Sequence, residues 1–402
     1  MSLSVALVAG PDPGHAFNVL GLGEVLAARG HDVTIGTGTQ HRAATESAGL
    51  RFVELPLLAP TDRDHDMGQL IWGRGAEMAT PLAELLRPLA PDVVVSDVLT
   101  RAGAFAAELL GVPWVELSPH HLFEPDPAIP PVGLGRAPAT TWWRRRSDDR
   151  IRRAQQASLD HGAELEAEVR RRIGLPPDGP GAEARLLCTL PALELRRQDW
   201  PRDAHVVGPM GWEPAWDRLA PPDGTAPLVV VTDSTASTVR RSLAETALDG
   251  LRYADVRLVV TTGRDDLDAD RAGVRIGRAP HGPLLDEAAL AVGPGGGGFV
   301  AKALVRGVPL VLVPLMGDQR ETAGRVRHRG LGRSLKPRWT TPTTLRLTVE
   351  HVLADRTYAD RARGVADDAR ARGLGPDLAA GLVEAAAARD VPPSTGPHGP
   401  PG

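Results

Sequence analysis

AVGPGGGGFVAKALVRGVPLVLVPLMGDQRETAGRVRHRG, residues 291–330, decides the fold of this chain. Residues 288–292 read as a short buried strand. Gly295, Gly296, Gly297 and Gly298 then let the backbone approach a ligand with no side chain in the way. Residues 299–306 continue as a helix, whose first N–H groups and dipole favour an anion. Residues 310–314 are apolar throughout, as a parallel strand covered on both faces must be. Asp318 and Gln319 therefore emerge just past the C-terminal end of that strand, at the edge where open α/β sheets bind ligands. A glycine run alone also fits a ligand-free turn. Coupled to an Asp-Gln pair one strand later, it has the layout of a site for a diphosphate-linked sugar.

The surrounding chain repeats the same plan. Residues 3–9 read as a strand, 10–14 as a turn, 17–29 as an amphipathic helix closed by Gly30, and 32–37 as a second strand, which makes a βαβ unit. Strands at 51–55, 92–96 and 113–117 alternate with helices at 67–89 and 100–111, the pattern of a doubly wound parallel sheet. Residues 118–146 form a long Pro- and Gly-rich loop carrying His120, His121, Phe123, Trp142 and Trp143, and a loop of that length inside a domain is usually functional. A charged helix at 147–173 and a strand at 185–188 follow. A proline-rich linker spans 209–227, and a second α/β series begins with a strand at 228–231, a helix at 236–250 and a strand at 256–261.

At residues 294–299 and 318–319 the chain resembles the GT-B nucleotide-sugar glycosyltransferases of the antibiotic, macrolide and plant-glucoside type, in an actinobacterial form. That family carries a His-Gly-Gly-x-Gly-Thr/Ser segment on the donor diphosphate and an Asp/Glu-Gln pair on the sugar hydroxyls. Gly295, Gly296 and Gly298 fall on the glycines, and Asp318-Gln319 on the pair. Pro294 stands where the histidine is expected and Phe299 where the Thr/Ser is expected. The resemblance covers nearly the whole chain, including Leu190-Pro191, Trp200-Pro201 and Val207-Gly208-Pro209. It implies an α/β protein of GT-B type, two Rossmann-like doubly wound parallel-sheet domains facing a cleft. The expected division is an acceptor-binding domain at 1–208, a linker at 209–227 and a nucleotide-sugar domain at 228–376. A terminal helix at 377–391 would return to the first domain, and 392–402 is expected to be a disordered tail.

His15 ends the turn Gly10-Pro11-Asp12-Pro13-Gly14-His15 at the cleft edge, and the resemblance gives the Gly-His there the catalytic base. The chemistry requires one, because an acceptor hydroxyl must lose its proton as it attacks the anomeric carbon. The helix N-terminus is expected to disfavour the imidazolium and keep the ring able to accept. A surface histidine in a polar turn is the alternative. Asp97, in Pro-Asp-Val-Val-Val-Ser-Asp, matches the family's partner of the base and would accept from the other ring nitrogen. Helix capping is its other reading, and the two are compatible. On the donor side the resemblance places Ser234 and Thr235 at the diphosphate. It places Arg278 and His281 in the stretch cradling the base, and His281 is also a candidate for the missing phosphate contact. Asp233 departs from the family, since a carboxylate near diphosphate is repulsive.

Composition narrows the alternatives. With 402 residues and 42% hydrophobic content the chain supports two cores, and its net charge of −4 gives no general attraction to nucleic acid or anionic membranes. The basic runs 144–146 and 170–172 have acidic neighbours and read as solvated helix faces. The single cysteine, Cys188, sits in an apolar run and reads as a core thiol. Asp-x-Asp spacings at Asp62, Asp64, Asp66, Asp266, Asp268 and Asp270 read as acidic turns, so neither a metal nor a cofactor is expected. The N-terminus lacks a signal pattern and no apolar run reaches membrane length, which predicts a cytoplasmic protein. The expected activity is inverting transfer of a hexose or deoxyhexose from a UDP- or TDP-sugar to a hydroxyl of a small, largely apolar acceptor lying against 118–146 and 67–89. A non-catalytic relative that binds a sugar nucleotide or aglycone or assists a partner enzyme, and a nucleotide-sugar epimerase, are the rivals. Oligomeric state is left open.

Overall fold

The computed structural model describes residues 2–59, 67–233, 242–267, 273–394 and 396–398. Ser234, Thr235 and five of the Asp-x-Asp carboxylates (Asp62, Asp64, Asp66, Asp268, Asp270) lie outside them.

Strands β1 (Ser4–Val8), β2 (Asp32–Thr37), β3 (Arg51–Glu54), β4 (Val93–Asp97), β5 (Trp114–Ser118), β6 (Ala184–Leu187) and β7 (Ala204–Val206) form one sheet, in the order β3-β2-β1-β4-β5-β6-β7. Strands β8 (Leu228–Thr232), β9 (Arg257–Thr261), β10 (Val274–Gly277), β11 (Leu290–Gly293), β12 (Leu310–Leu312) and β13 (Gly332–Ser334) form the other, in the order β10-β9-β8-β11-β12-β13. Every pairing is parallel. The helices are α1 (Pro13–Ala28), α2 (Arg42–Ser47), α3 (Arg74–Leu86), α4 (Ala102–Leu110), α5 (Trp142–Arg172), α6 (Leu243–Gly250), α7 (His281–Glu287), α8 (Gly297–Leu304), α9 (Gln319–His328), α10 (Pro342–Ala354), α11 (Arg356–Ala371) and α12 (Pro376–Ala387).

Strand order explains where the site lies. In each sheet the winding direction reverses once, between β1 and β4 and between β8 and β11, and the crevice beyond the strand ends opens at such a reversal. Register then brings particular residues together. Val8 pairs with Ser96, so the loop leaving β1 rises beside Asp97. Val292 pairs with Val231, so the glycine turn after β11 rises beside Asp233. The central strands are Val-rich and buried on both faces; all five residues of β8 are buried, which excludes water from beneath the crevice.

Helix α12 packs in the first half: Ala379, Ala380, Val383 and Ala386 share a core with Leu20, Leu22 and Leu26 of α1. Arg29, the C-cap residue of α1, holds Glu384 at 3.1 Å, and His31 Nε2 lies 3.0 Å from the same carboxylate.

Several sequence expectations need correction. Helix α8 begins at Gly297, inside the glycine run, two residues before the expected start. Strands β7, β10 and β13 were not anticipated, because three or four residues carry too little periodicity to read. Arg170 is not on a solvated face: it is buried against the Phe105 ring and bonded to Glu108, its charge matched by a carboxylate on α4. Residues 392–394 and 396–398 are attached where disorder was expected. Ser394 N–H donates to the Arg202 carbonyl at 2.6 Å, and His398 Nε2 meets the Glu194 carbonyl at 2.9 Å.

Candidate active site

The first half of the site is built on the loop leaving β1. Asp12 caps α1, accepting from Gly14 N–H at 2.7 Å, and Pro13 fixes the first helical φ, which delivers His15 onto the first turn. His15 Nδ1 lies 2.6 Å from Asp97 Oδ1. Asp97 is buried, and its other oxygen accepts from Leu99 N–H at 3.0 Å, Thr100 N–H at 3.2 Å and Thr100 Oγ1–H at 3.1 Å. The Thr100 hydroxyl in turn accepts from Gly10 N–H at 2.7 Å, tying the β1 loop to the β4 loop. Asp97 thus partners the imidazole and caps the turn before α4 with different oxygens. Because a carboxylate only accepts, Nδ1 carries the proton and Nε2 is left to accept one.

The electrostatics of His15 differ from the sequence expectation. Burial is the largest influence and lowers its pKa, but the Asp97 hydrogen bond and charge, with Asp12 and Asp318 further off, outweigh it and raise the value above that of an ordinary histidine. The helix end does not keep this ring neutral. Cys188 is buried, and burial and the Asp97 charge push its thiol up, so it is an inert core group.

The second half begins with Gly293, where a Cβ would stand 2.8 Å from Thr232, and Gly295, whose φ of +97° suits glycine. Gly296 is the N-cap of α8 and offers no side chain to the exposed N–H groups, while Gly297 and Gly298 are the first helical residues. Such an end attracts an anion. Phe299 does not face that end as a Thr/Ser would: it lies under Gly293 and meets the His281 ring edge-on, centroids 5.1 Å apart. His281 Nε2 bonds the Thr261 hydroxyl at 2.9 Å. Burial, with Lys302 adding to it and Glu213 opposing, depresses the His281 pKa to about 4. Arg278 follows the edge strand β10 and reaches Gly263 C=O at 3.4 Å, three strands from the glycine turn.

Asp318 is the half-exposed N-cap residue of α9, and Gln319 is the first residue of that helix. The Gln319 amide oxygen accepts from Leu315 N–H at 2.9 Å and Met316 N–H at 3.2 Å, which leaves its NH2 as the end that can donate. Burial raises the Asp318 pKa, but His120 and His121 outweigh it and hold the carboxyl below its usual range.

Residues 245–385 match the family described as erythromycin biosynthesis protein CIII-like, C-terminal domain. The chain is 29% identical to 4'-demethylrebeccamycin synthase of Lentzea aerocolonigenes, over 95% of this chain and 100% of that one. The crystal structure of the glycotransferase of kitacinnamycin superposes with a TM-score of 0.75 at 24% identity, over 96% of this chain and 99% of that one. Glycosyltransferase VinC in complex with dTDP superposes with a TM-score of 0.68 at 22% identity, over 96% and 100%. The chain has the GT-B fold.

In this GT-B frame one side chain that sequence reasoning did not place in the site stands between its halves. His120, two residues past β5, meets the His15 ring edge-on at 5.3 Å, and its Nδ1 lies 3.3 Å from Asp318 Oδ2. The available signal was a pair of histidines directly after a strand end in a loop long enough to be functional. Its neighbours dock as well. The Pro119 carbonyl would stand 2.9 Å from a Cβ on Gly297, and His121 Nε2 approaches the Thr322 hydroxyl of α9 at 3.4 Å. Beneath them lies a buried polar network. His121 Nδ1 meets Glu194 at 3.0 Å, Arg325 holds Glu194 at 2.9 Å and Glu321 at 2.8 Å, and Glu321 accepts from Gly133 and Gly135 N–H at 2.9 Å each. Although burial opposes ionisation, Arg325 and His121 pull the Glu194 pKa down to about 2.

Proposed function

We propose that this chain is an inverting glycosyltransferase that moves a hexose or deoxyhexose from a UDP- or TDP-sugar to a hydroxyl of a small, largely apolar natural-product acceptor. His15 Nε2 takes the hydroxyl proton as the acceptor oxygen forms its bond to the anomeric carbon. The bond from that carbon to the diphosphate oxygen breaks on the opposite face, and the nucleoside diphosphate leaves with the electron pair. Asp97 holds the tautomer and offsets the imidazolium that forms. The amide end of α8, at Gly296, Gly297 and Gly298, would receive the growing charge of the leaving group, a role that needs no metal. Asp318 and Gln319 would hold the sugar hydroxyls, with Arg278 toward the base.

The observation that carries the reading is the His15–Asp97 pair at 2.6 Å, set across from Asp318 with the His120 imidazole between them. His15→Ala is expected to abolish transfer while nucleotide binding survives, measured by product formation and calorimetry. Unchanged turnover in that variant would sink the assignment. One observation favours a non-catalytic sugar-nucleotide binder instead: Phe299 is turned away from the α8 amides, so the hydroxyl contact expected there is missing. Wild-type protein that binds the sugar nucleotide yet forms no transfer product would favour that reading.

A further inference from the structure

Three successive residues of the acceptor half, Pro119, His120 and His121, touch the donor half at α8, Asp318 and α9 respectively. The middle one meets both reacting sides: it is edge-on to the base and within hydrogen-bond reach of the sugar-binding carboxylate. The chain holds it firmly, because His120 N–H donates to the Ser118 hydroxyl at 3.2 Å and His121 next to it is locked between Thr189, Glu194 and Thr322. Among the described residues none offers a hydrogen bond to His120 Nε2.

We propose that His120 is a sugar-positioning and specificity residue of the site. Its Nδ1–H holds one oxygen of Asp318, so that the other oxygen is aimed at one hydroxyl of the transferred hexose, while its Nε2 accepts from a neighbouring hydroxyl beside His15. This rests on the glycosyltransferase reading above and goes further, because it makes sugar recognition depend on both halves of the molecule. A sugar can then be read in full only when the half that carries the base is seated on the half that carries the diphosphate.

The test is calorimetric binding of UDP, TDP, UDP-glucose and TDP-glucose to wild type, His120→Ala and His120→Asn, with steady-state kinetics alongside. The Asn amide nitrogen falls near Nδ1, so this variant restores the Asp318 bond and lacks only Nε2. The expected result is unchanged nucleotide affinity in both variants. His120→Ala should lose the gain contributed by the hexose, on the order of tenfold, with a matching rise in KM for the sugar nucleotide. His120→Asn should recover about half of it on the logarithmic scale. Retention of the full hexose gain in His120→Ala overturns the proposal, as does an equal loss for nucleotide and sugar nucleotide, which marks a merely structural role. Wild-type protein that binds none of the four probes overturns the glycosyltransferase reading itself, a different outcome from either of these.

Discussion

Asp97→Asn separates what Asp97 does to the base from what it does to the loop. One oxygen of Asp97 accepts from Leu99 N–H, Thr100 N–H and Thr100 Oγ1–H, while the other faces His15 Nδ1 at 2.6 Å. In the variant the amide oxygen must stay with those donors, because an NH2 there would oppose them. The NH2 therefore faces His15 and donates to Nδ1, which forces the ring proton onto Nε2, the nitrogen that has to accept from the acceptor hydroxyl. Loss of a positioned general base costs ~10²–10⁴-fold in kcat. The His15 pKa falls at the same time, since burial lowers it and the Asp97 bond and charge are what raise it. In wild type the acid limb of the rate profile should lie above an ordinary imidazole; in Asp97→Asn it should move to lower pH under a much lower plateau. The stability linkage has the opposite sense. A raised folded pKa contributes stability that is complete below the unfolded imidazole value and is lost as pH rises through the folded one. Trading this charged hydrogen bond for a neutral one should cost ~1–2 kcal/mol below that window, read by urea unfolding, and little above it. Nucleoside diphosphate release measured across pH is the assay. A plateau within about threefold of wild type, well short of the loss expected for a general base, would refute the tautomer argument.

Other perturbations follow from the contacts between the halves. Arg325→Met leaves Glu194 and Glu321 buried without their shared cation and should cost ~3–5 kcal/mol in urea unfolding, whereas Arg325→Met with Glu194→Gln and Glu321→Gln should recover much of it. Gly297→Ala puts a Cβ 2.9 Å from the Pro119 carbonyl, which must shift. KM for the sugar nucleotide should rise severalfold with melting temperature nearly unchanged, and an unaltered KM would show that this approach is not limiting. His281, depressed to about 4, favours the folded state only while neutral, so its contribution is lost as pH falls from the unfolded imidazole value toward about 4. His281→Gln should flatten the decline of melting temperature over that range.

The fold was legible because its strands are short apolar runs between helices, and Leu310–Leu312 could hardly be anything else. His15, Asp97, Asp318 and Gln319 were legible as candidates because the family resemblance singled them out and each ends or follows a strand whose end opens on the crevice. His120 was not, since nothing in a Pro- and Gly-rich loop says which side chain turns back over the strand end. The Glu194, Glu321 and Arg325 network was equally hidden. Its members are far apart in sequence, and a charged helix such as Gln319–His328 reads as solvent-facing until its partner surface is known. The raised His15 pKa was missed for a related reason: a helix dipole acts weakly and can be read from sequence, whereas a carboxylate 2.6 Å away dominates and is visible only in three dimensions.

The linker bears on how two half-sites act as one. Trp212 packs on Phe17 of α1 with centroids 4.5 Å apart, and its Nε1–H donates to Glu24 of the same helix at 3.1 Å. The next residue, Glu213, accepts from His281 and Gly282 N–H at 2.9 and 3.1 Å and pairs with Lys302 of α8 at 2.8 Å, while Lys302 also donates to the Trp212 carbonyl at 2.7 Å. Two adjacent residues therefore join α1, which carries His15, to α8, which opens at the glycine turn. The loop at 119–121 and the network under α9 join the same halves from another direction, through different elements. A displacement on the order of 1 Å between nucleophile and anomeric carbon can cost ~10²-fold, so two separate attachments restrain what one tether would leave free to pivot. This gives the buried charges on α9 a purpose that stability alone does not. An apolar replacement can hold as tightly, but an arginine paired with a carboxylate on each half, Glu194 and Glu321, ties α9 to the first half in the register that sets Asp318 beside His120 and His15.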